Sequence, residues 1–271
     1  MGAAVAAQLR RRGTRVLWCP EGRSARTAER ATAAGLEPID NFAAFLTEVE
    51  IVLSICPPEF AEDVARQIAE HSFQGWYVEA NAISPQRCHR IASHLTVGGV
   101  RVIDGSIIGP PPTDSRSGRL YLAGDDTATE HVAELFAGTS VEAVTIDGPI
   151  GKASALKMAY ASFQKASRAL AAVAHALAAS HGVTEHLLTE AARSTRSPLA
   201  EPDYLPSVAA RAWRWVPEMH EIADTLTAES LPPDLAIAAG KILAHWSADR
   251  DDSNLSLDVL LSRLSGSPAS Q

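Results

Sequence analysis

Apolar positions along the chain switch between two periods. From residue 14 to about 146, short runs of β-branched, aromatic and aliphatic residues alternate with runs whose apolar positions recur at helical spacing. The predicted strands are TRVLWC from Thr14, IVLSIC from Ile51, WYVEA from Trp76, VRVIDGS from Val100, RLYLAG from Arg119 and VEAVTI from Val141. Between them lie the helical runs SARTAERATAAG, NFAAFLTEVE, PEFAEDVARQIAEH, SPQRCHRIASHL and TATEHVAELFAG. Ahead of them Gly2 opens an Ala-rich helical run that Gly13 stops. Strand, helix, strand, helix predicts an α/β domain: a mostly parallel sheet with helices on both faces. After DGPIG, residues 147–151, strand signals vanish and the chain reads as helical to about 265, interrupted by SPLAEPDYLP and SLPPD. A boundary near 148 follows, with an all-helical domain over 149–271.

The first helix of that second domain is long. It is predicted from Ala153 to about Ser180, roughly 40 Å at 1.5 Å per residue. Leu156, Phe163, Leu170 and Leu177 recur every seven residues, with Ala159, Ala166 and Val173 three positions after the first three, which is the spacing of a helix-bundle seam. Lys157, Tyr160, Gln164 and Arg168 fall on another face and make either a cleft lining or a solvated stripe.

Composition narrows the class. The formal net charge of -8 argues against a general nucleic-acid binder, which needs a basic face for phosphates. The most apolar stretch, Ala153 to Ala179, carries Lys157, Lys165 and Arg168, which excludes a membrane span, and no apolar run follows the early arginines as in a signal peptide. Cys19, Cys56 and Cys88 are widely spaced without a CxxC, so a reduced cytoplasmic protein without a zinc site or disulfide framework is expected. The histidines, His71, His89, His94 and His131 among them, form no ligand pair, and no metal is expected.

Ligands of open α/β sheets sit beyond the carboxyl ends of the strands. After the first strand, EGRSART offers Arg23, Ser24 and Thr27, residues suited to the 2′-phosphate of NADP; Glu21 is the discordant residue, since a carboxylate suits the 2′-hydroxyl of NAD. After the second come Cys56, Pro57 and Pro58, a rigid turn that can bring backbone close to a cofactor. Asn81 follows the third, either to orient a carboxamide or substrate carbonyl or as an ordinary cap. Gly109 and the prolines after it stiffen the loop after the fourth. Lys157 stands one turn into the long helix, where a lysine can reach a crevice between domains and partial desolvation suits it to acid–base work.

GRSARTAER, SICPPEFAEDVA, EANAISP, VIDGSIIGPPP, LYLAG, GPIGKASALKMAYASFQKASRAL and WRWVPEMHEIADTL, in that order, resemble the β-hydroxyacid dehydrogenase and 6-phosphogluconate dehydrogenase-like superfamily, specifically its branch with a DUF1932 C-terminal domain. The resemblance spans nearly the whole chain. It implies a Rossmann-like domain, an all-helical domain that dimerises through the long helices, and reversible hydride transfer between a nicotinamide, NADP rather than NAD, and a carbonyl or imine carbon. Lys157 matches the family's catalytic lysine. Met1-Gly2 match the last two positions of a G-x-G-x-M-G-type turn, with Gly2 as the glycine that lets helix and strand pack closely. The strand and turn that come first in the family are expected either upstream of an internally assigned start, the favoured reading, or lost from a truncated product.

The departures concern substrate. Where the family carries Asn or His-Asn one turn after the lysine, this chain has Tyr160 and Ala161. Its Ser-Thr reads Asn81-Ala82, and its Ser-Gly-Gly loop reads Ile108-Gly109-Pro110. Two carboxylate-binding elements are altered, so a bulkier, less polar ketone, alcohol or imine is expected, as in the imine reductases that share the architecture. Asn81 and Tyr160 join Lys157 as catalytic candidates. Ser154 either touches substrate or caps the helix. Gln164, Ile108 and Gly109 are substrate-lining candidates, and the resemblance places Glu218 and Glu221 near the cleft, against the plainer reading of solvated carboxylates. The competing class is a non-catalytic relative that serves as a dimeric binding or scaffold protein.

Overall fold

The computed structural model describes residues 1–193, 198 and 201–265, the side chains of 177, 180 and 265 apart. Part of the SPLAEPDYLP break, and Leu177 of the expected seam, lie outside the described residues. The chain forms two compact units, Met1–Lys157 and Met158–Gln271.

In the first unit the strands are β1 (Leu17–Trp18), β2 (Glu37–Pro38), β3 (Ile51–Ser54), β4 (Trp76–Glu79), β5 (Arg101–Ile108), β6 (Gly118–Ala123) and β7 (Val141–Ile146). The helices are α1 (Gly2–Arg11), α2 (Ala25–Ala33), α3 (Phe42–Thr47), α4 (Ala61–Ala69), α5 (Pro85–Val97) and α6 (Asp126–Leu135). Five strands pair in the order β3-β4-β5-β6-β7, all parallel neighbours except the antiparallel β5–β6 pair. The two short strands β1 and β2 pair separately, in parallel. Only β2 was missed in the sequence; its two residues include a proline and carry no apolar alternation.

Helices cover both faces. On one, Leu46, Ala61, Ala65, Ile68, Cys88, Ile91 and Leu95 pack over Val52, Tyr77 and Val102. On the other, Val5 and Leu9 of α1 and Val132 and Phe136 of α6 pack over Val78, Ile103, Leu120 and Leu122. Helix starts follow side-chain chemistry: Ser24, Asn41, Ser84 and Asp125 each accept from a backbone N–H three residues on, satisfying donors that have no intrahelical partner. An added Cβ on Gly2 would meet the Ile55 carbonyl oxygen at 3.5 Å, an ordinary contact. Close packing does not itself demand glycine there, contrary to expectation.

The second unit is helical: the continuation of α7 (Lys152–Ser180), then α8 (Thr184–Ala192), α9 (Leu205–Ala228), α10 (Asp234–Ala244) and α11 (Leu257–Ser265). Helix α9 is its centre, packed on α10 and α11. Buried Trp246 donates its indole N–H to the Leu260 carbonyl at 2.9 Å. The boundary between the units falls inside α7. Along α7 the buried positions are mostly small, among them Met158, Ala161, Ala166, Ala169 and Ala172. Of the expected seam Ala166 is buried, but the large side chains point outward: Phe163 is 75% exposed, and Leu156, Leu170 and Val173 are exposed too. Heptad spacing identified the apolar stripe, but alanine faces let helices approach more closely and took the internal side.

Ile103, fully buried on the central strand, makes the core prediction. Ile103→Ala should cost about 2–5 kcal/mol in urea unfolding, with an unchanged m-value.

Candidate active site

Register places three polar side chains in one row. Ser54 is paired with Glu79 and Glu79 with Asp104, across β3, β4 and β5 at or near the strands' carboxyl ends. The row below, Val52, Tyr77 and Val102, is apolar apart from one phenol. Glu79 and Asp104 are fully buried and Ser54 nearly so. Parallel strands bury both faces, so polar groups here must find partners inside the protein.

They do. Glu79 accepts from the Asn81 backbone N–H at 3.0 Å and from the Tyr77 hydroxyl at 3.2 Å. The Asn81 side chain reaches back over β3, accepting from the Cys56 N–H at 2.5 Å and donating to Ser54 Oγ at 3.0 Å. Both ends of this amide therefore hold the turn that leaves β3, the turn of Cys56, Pro57 and Pro58. Pro58 opens a single 3-10 turn, and Arg87 donates to its carbonyl at 3.0 Å. Asp104 accepts from Gly151 N–H at 2.8 Å, from Ser154 N–H at 3.0 Å and from Ser154 Oγ at 2.6 Å. Ser154 is buried, and its hydroxyl donates to Asp104; the side chain that accepts the free N–H groups at this helix start is Asp104. One turn on, Lys157 Nζ donates to the Ile107 carbonyl at 2.7 Å.

Burial dominates the electrostatics. It lifts the Glu79 carboxyl to about 7; bonds from Asn81 and Tyr77 pull the other way, and the neighbouring Asp104 charge adds to the rise. Asp104 is also raised by burial, but donors from Ser154 and Gly151 offset it. Burial therefore raises both of these adjacent carboxyls, and each charge works against the other. The Cys56 thiol is pushed up to about 11 by burial and by Glu79, which makes it an inert, uncharged lining group.

At the end of β1, Ser24 caps α2 and its hydroxyl lies 3.1 Å from that of Thr27. Arg23 is exposed and close enough to Cys56 to act on its charge, which links the ends of β1 and β3. Among the described residues Arg23 pairs with no carboxylate. Glu21, the discordant residue, accepts from the Phe42 N–H at 3.3 Å and so caps α3. A guanidinium, two hydroxyls and a helix N-terminus are a donor set that fits a phosphate. Gly2 starts α1 against Ile55, just past the end of β3, and a helix start carries N–H groups without intrahelical acceptors. These residues fit a dinucleotide.

The remaining candidates divide by unit. Ile108 is buried at the end of β5, and Gly109 takes φ +119° with an added Cβ only 3.4 Å from Gly118 and Ser117 backbone, so the turn requires glycine. In the helical unit, Tyr160 is exposed and Gln164 half-buried. Glu218 is not on a solvated face: it pairs with buried Lys165 at 2.7 Å, and Glu221 is buried one turn on. Glu79 and Asp104 went unrecognised in the sequence. Their signal was a carboxylate in each of two apolar strand runs, WYVEA and VRVIDGS.

Residues 1–148 match the model for the NAD binding domain of 6-phosphogluconate dehydrogenase, and residues 178–246 match a domain of unknown function, DUF1932. The chain belongs to this 6-phosphogluconate dehydrogenase-like family. A curated relative, an uncharacterized 28.5 kDa protein of Methanothermus fervidus, is 27% identical over 170 residues; the match takes in 63% of this chain and 64% of that protein's length. The chain is similar in structure to the Mycobacterium tuberculosis 3-hydroxyisobutyrate dehydrogenase solved with L-serine (17% identity, TM-score 0.75, covering 97% and 95% of the two chains). It is also similar to an imine reductase from Bacillus cereus BAG3X2 (19% identity, TM-score 0.57, covering 98% and 96%). The first unit therefore carries the NAD-binding domain of this dehydrogenase family, and among the described residues no helix is long and apolar enough to cross a membrane.

Glu79 generates a pH prediction. Its carboxyl is raised in the folded state, so its stabilising effect is complete below about 4.5 and is lost as pH rises through about 7. In Glu79→Gln the amide oxygen still accepts from Asn81 and the nitrogen donates to Tyr77. Thermal melts of the variant should be flatter between pH 5 and 8, and more stable than wild type at pH 8 by about 2–3 kcal/mol. Parallel pH curves for the two proteins would refute the assignment.

Proposed function

We propose that the chain is an NADP-dependent oxidoreductase acting on a small hydroxy, carbonyl or imine substrate, with Lys157 as its general acid and base. The observation that carries this reading is the Lys157 ammonium on the Ile107 carbonyl, beside the carboxyl end of the central strand. Arg23, Ser24 and Thr27 hold the adenosine 2′-phosphate, and the first turn of α1 with the Cys56–Pro58 turn takes the rest of the dinucleotide. Bound there, the nicotinamide supplies or accepts a hydride at the substrate carbon. Lys157 Nζ gives a proton to the substrate oxygen or nitrogen during reduction and takes it back during oxidation. Asn81 fixes the turn after β3, while burial of Ile108 and the stiff Gly109 turn leave no hydroxyl there to grip a carboxylate. That favours a ketone, alcohol or imine over a simple 3-hydroxy acid.

The dimer belongs to the same proposal. Phe163, Leu170 and Val173 leave an apolar stripe on α7 that a second copy of that helix covers, its heptad spacing matching a helix–helix seam. Phe163→Asp should convert the dimer to monomer in light scattering; an unchanged mass would move the interface elsewhere. The competing reading, a non-catalytic binding protein, draws on the separate β1–β2 pair and the one-sided pairing of β3. NADPH fluorescence titration, run beside a chain extended upstream, separates the two, and binding to neither form ends the enzyme reading.

Two substitutions test the assignments. Lys157→Met should leave the NADPH dissociation constant within about twofold and lower turnover about 100-fold or more in a screen of ketones, imines and hydroxy acids. Full turnover would remove Lys157 from the chemistry. Arg23→Glu should weaken NADPH by about 1–3 kcal/mol while leaving NADH binding nearly unchanged; equal losses for both would place Arg23 away from the 2′-phosphate.

A further inference from the structure

The proposed acid–base lysine sits on the first two turns of a helix, and helix ends fray. What keeps this end in place is not on the helix itself. Residues Gly151 and Ser154 offer backbone N–H groups that no helical carbonyl can reach. The usual remedy is a side chain just before the helix. Here the acceptor comes from 47 and 50 residues away in sequence: the Asp104 carboxylate on β5, which takes Gly151 N–H at one oxygen, Ser154 N–H at the same oxygen and Ser154 Oγ–H at the other.

We propose that Asp104 is the positioning residue for Lys157: by tying the first turn of α7 to β5 it fixes where the lysine ammonium lies. The inference rests on the reading of Lys157 as the proton donor.

The geometry is a clamp at two heights on one strand. Asp104 holds the helix backbone at Gly151 and Ser154, and three residues further along the same strand the Ile107 carbonyl takes the Lys157 ammonium at 2.7 Å. Three residues of strand span about 10 Å. The lysine stem bridges the difference between that span and the shorter rise of the helix. Strand β5 is the middle strand of the five, hydrogen-bonded on both sides, so the clamp is anchored on the least mobile element available.

Three further features commit the turn to this arrangement. Gly151 has φ +103°, and a Cβ there would lie 2.8 Å from His89 Nε2, so the chain enters the helix along a path only glycine takes. Asp104 is fully buried and Ser154 almost so, which leaves no water to replace a lost bond. Both Asp104 oxygens accept, whereas an amide in its place offers one acceptor and one donor. Nothing on α7 duplicates Asp104: the helix has no acidic residue in its first turn.

The clamp accounts for Ser154 as well. Its hydroxyl does not face a ligand; it completes the Asp104 oxygen that the backbone N–H groups leave open.

The test reads the lysine directly. The chain has four lysines, Lys152, Lys157, Lys165 and Lys241, so the Nζ resonance of Lys157 is assigned by its loss in Lys157→Met. In Asp104→Asn the amide nitrogen meets N–H donors. The expected result is faster amide hydrogen exchange at Gly151 and Ser154, a displaced Lys157 Nζ resonance with an altered titration midpoint, and turnover lowered on the order of 10- to 100-fold with NADPH affinity kept. A folded Asp104→Asn protein whose Lys157 resonance and titration match wild type overturns the proposal. Should that variant fail to fold, Ser154→Ala removes one of the three donors and should shift the same resonance less, in the same direction; no shift in folded Ser154→Ala overturns it equally. Loss of the broader reading has a separate signature: full turnover in Lys157→Met, which the resonance measurement does not touch.

Discussion

Burying a carboxylate midway along the central strand, level with the carboxyl ends of β3 and β4, is the constraint around which this molecule is arranged. An isolated Asp104 carboxylate in that position would cost several kcal/mol. Three donors from the start of α7 offset that cost, and the requirement runs both ways, because the helix end needs an acceptor as much as the carboxylate needs donors. The long helix therefore does not simply follow the sheet domain in sequence; its first turn is part of the sheet domain, and the compact unit ends only at Lys157.

The neighbouring carboxyl completes the polar row. Glu79 accepts from Asn81 and Tyr77, and a charge on Asp104 beside it adds to the rise that burial causes. Its carboxyl, raised to about 7, organises Asn81, which in turn holds the turn after β3. One row of three residues thus shapes two loops: Ser54 and Glu79 act through Asn81 on the Cys56–Pro58 turn, and Asp104 acts through Ser154 on the start of α7. Those two loops flank the position where the reading places the reacting carbon, which is why a pair of non-reacting acids matters to a reaction they do not touch.

Much of this was legible in the sequence. Alternating strand and helix runs located six of the seven strands, and Ser-Pro at 84 and 85 marked a helix start that the structure caps as expected. Lys157 was picked out by its place after the last strand. What stayed hidden was register and facing. WYVEA and VRVIDGS show a carboxylate each, but only the pairing of Glu79 with Asp104 makes them neighbours. Glu21 read as discordant with a phosphate site because its partner, the Phe42 N–H, is 21 residues on. The leucine spacing of α7 was correct as a period and misleading as to side, since the wheel cannot tell an internal face from one left for another copy. Glu218 looked solvated because its partner Lys165 lies on a different helix.

The most direct measurement is a crystal structure of the chain grown with NADPH. The expected result has the 2′-phosphate at Arg23, Ser24 and Thr27 and the reacting carbon of the nicotinamide facing the Lys157 ammonium, with Asp104 still bonded to Gly151 and Ser154. A nicotinamide bound away from the ends of β3 and β5, or a Lys157 side chain turned into solvent with the cofactor in place, would contradict it.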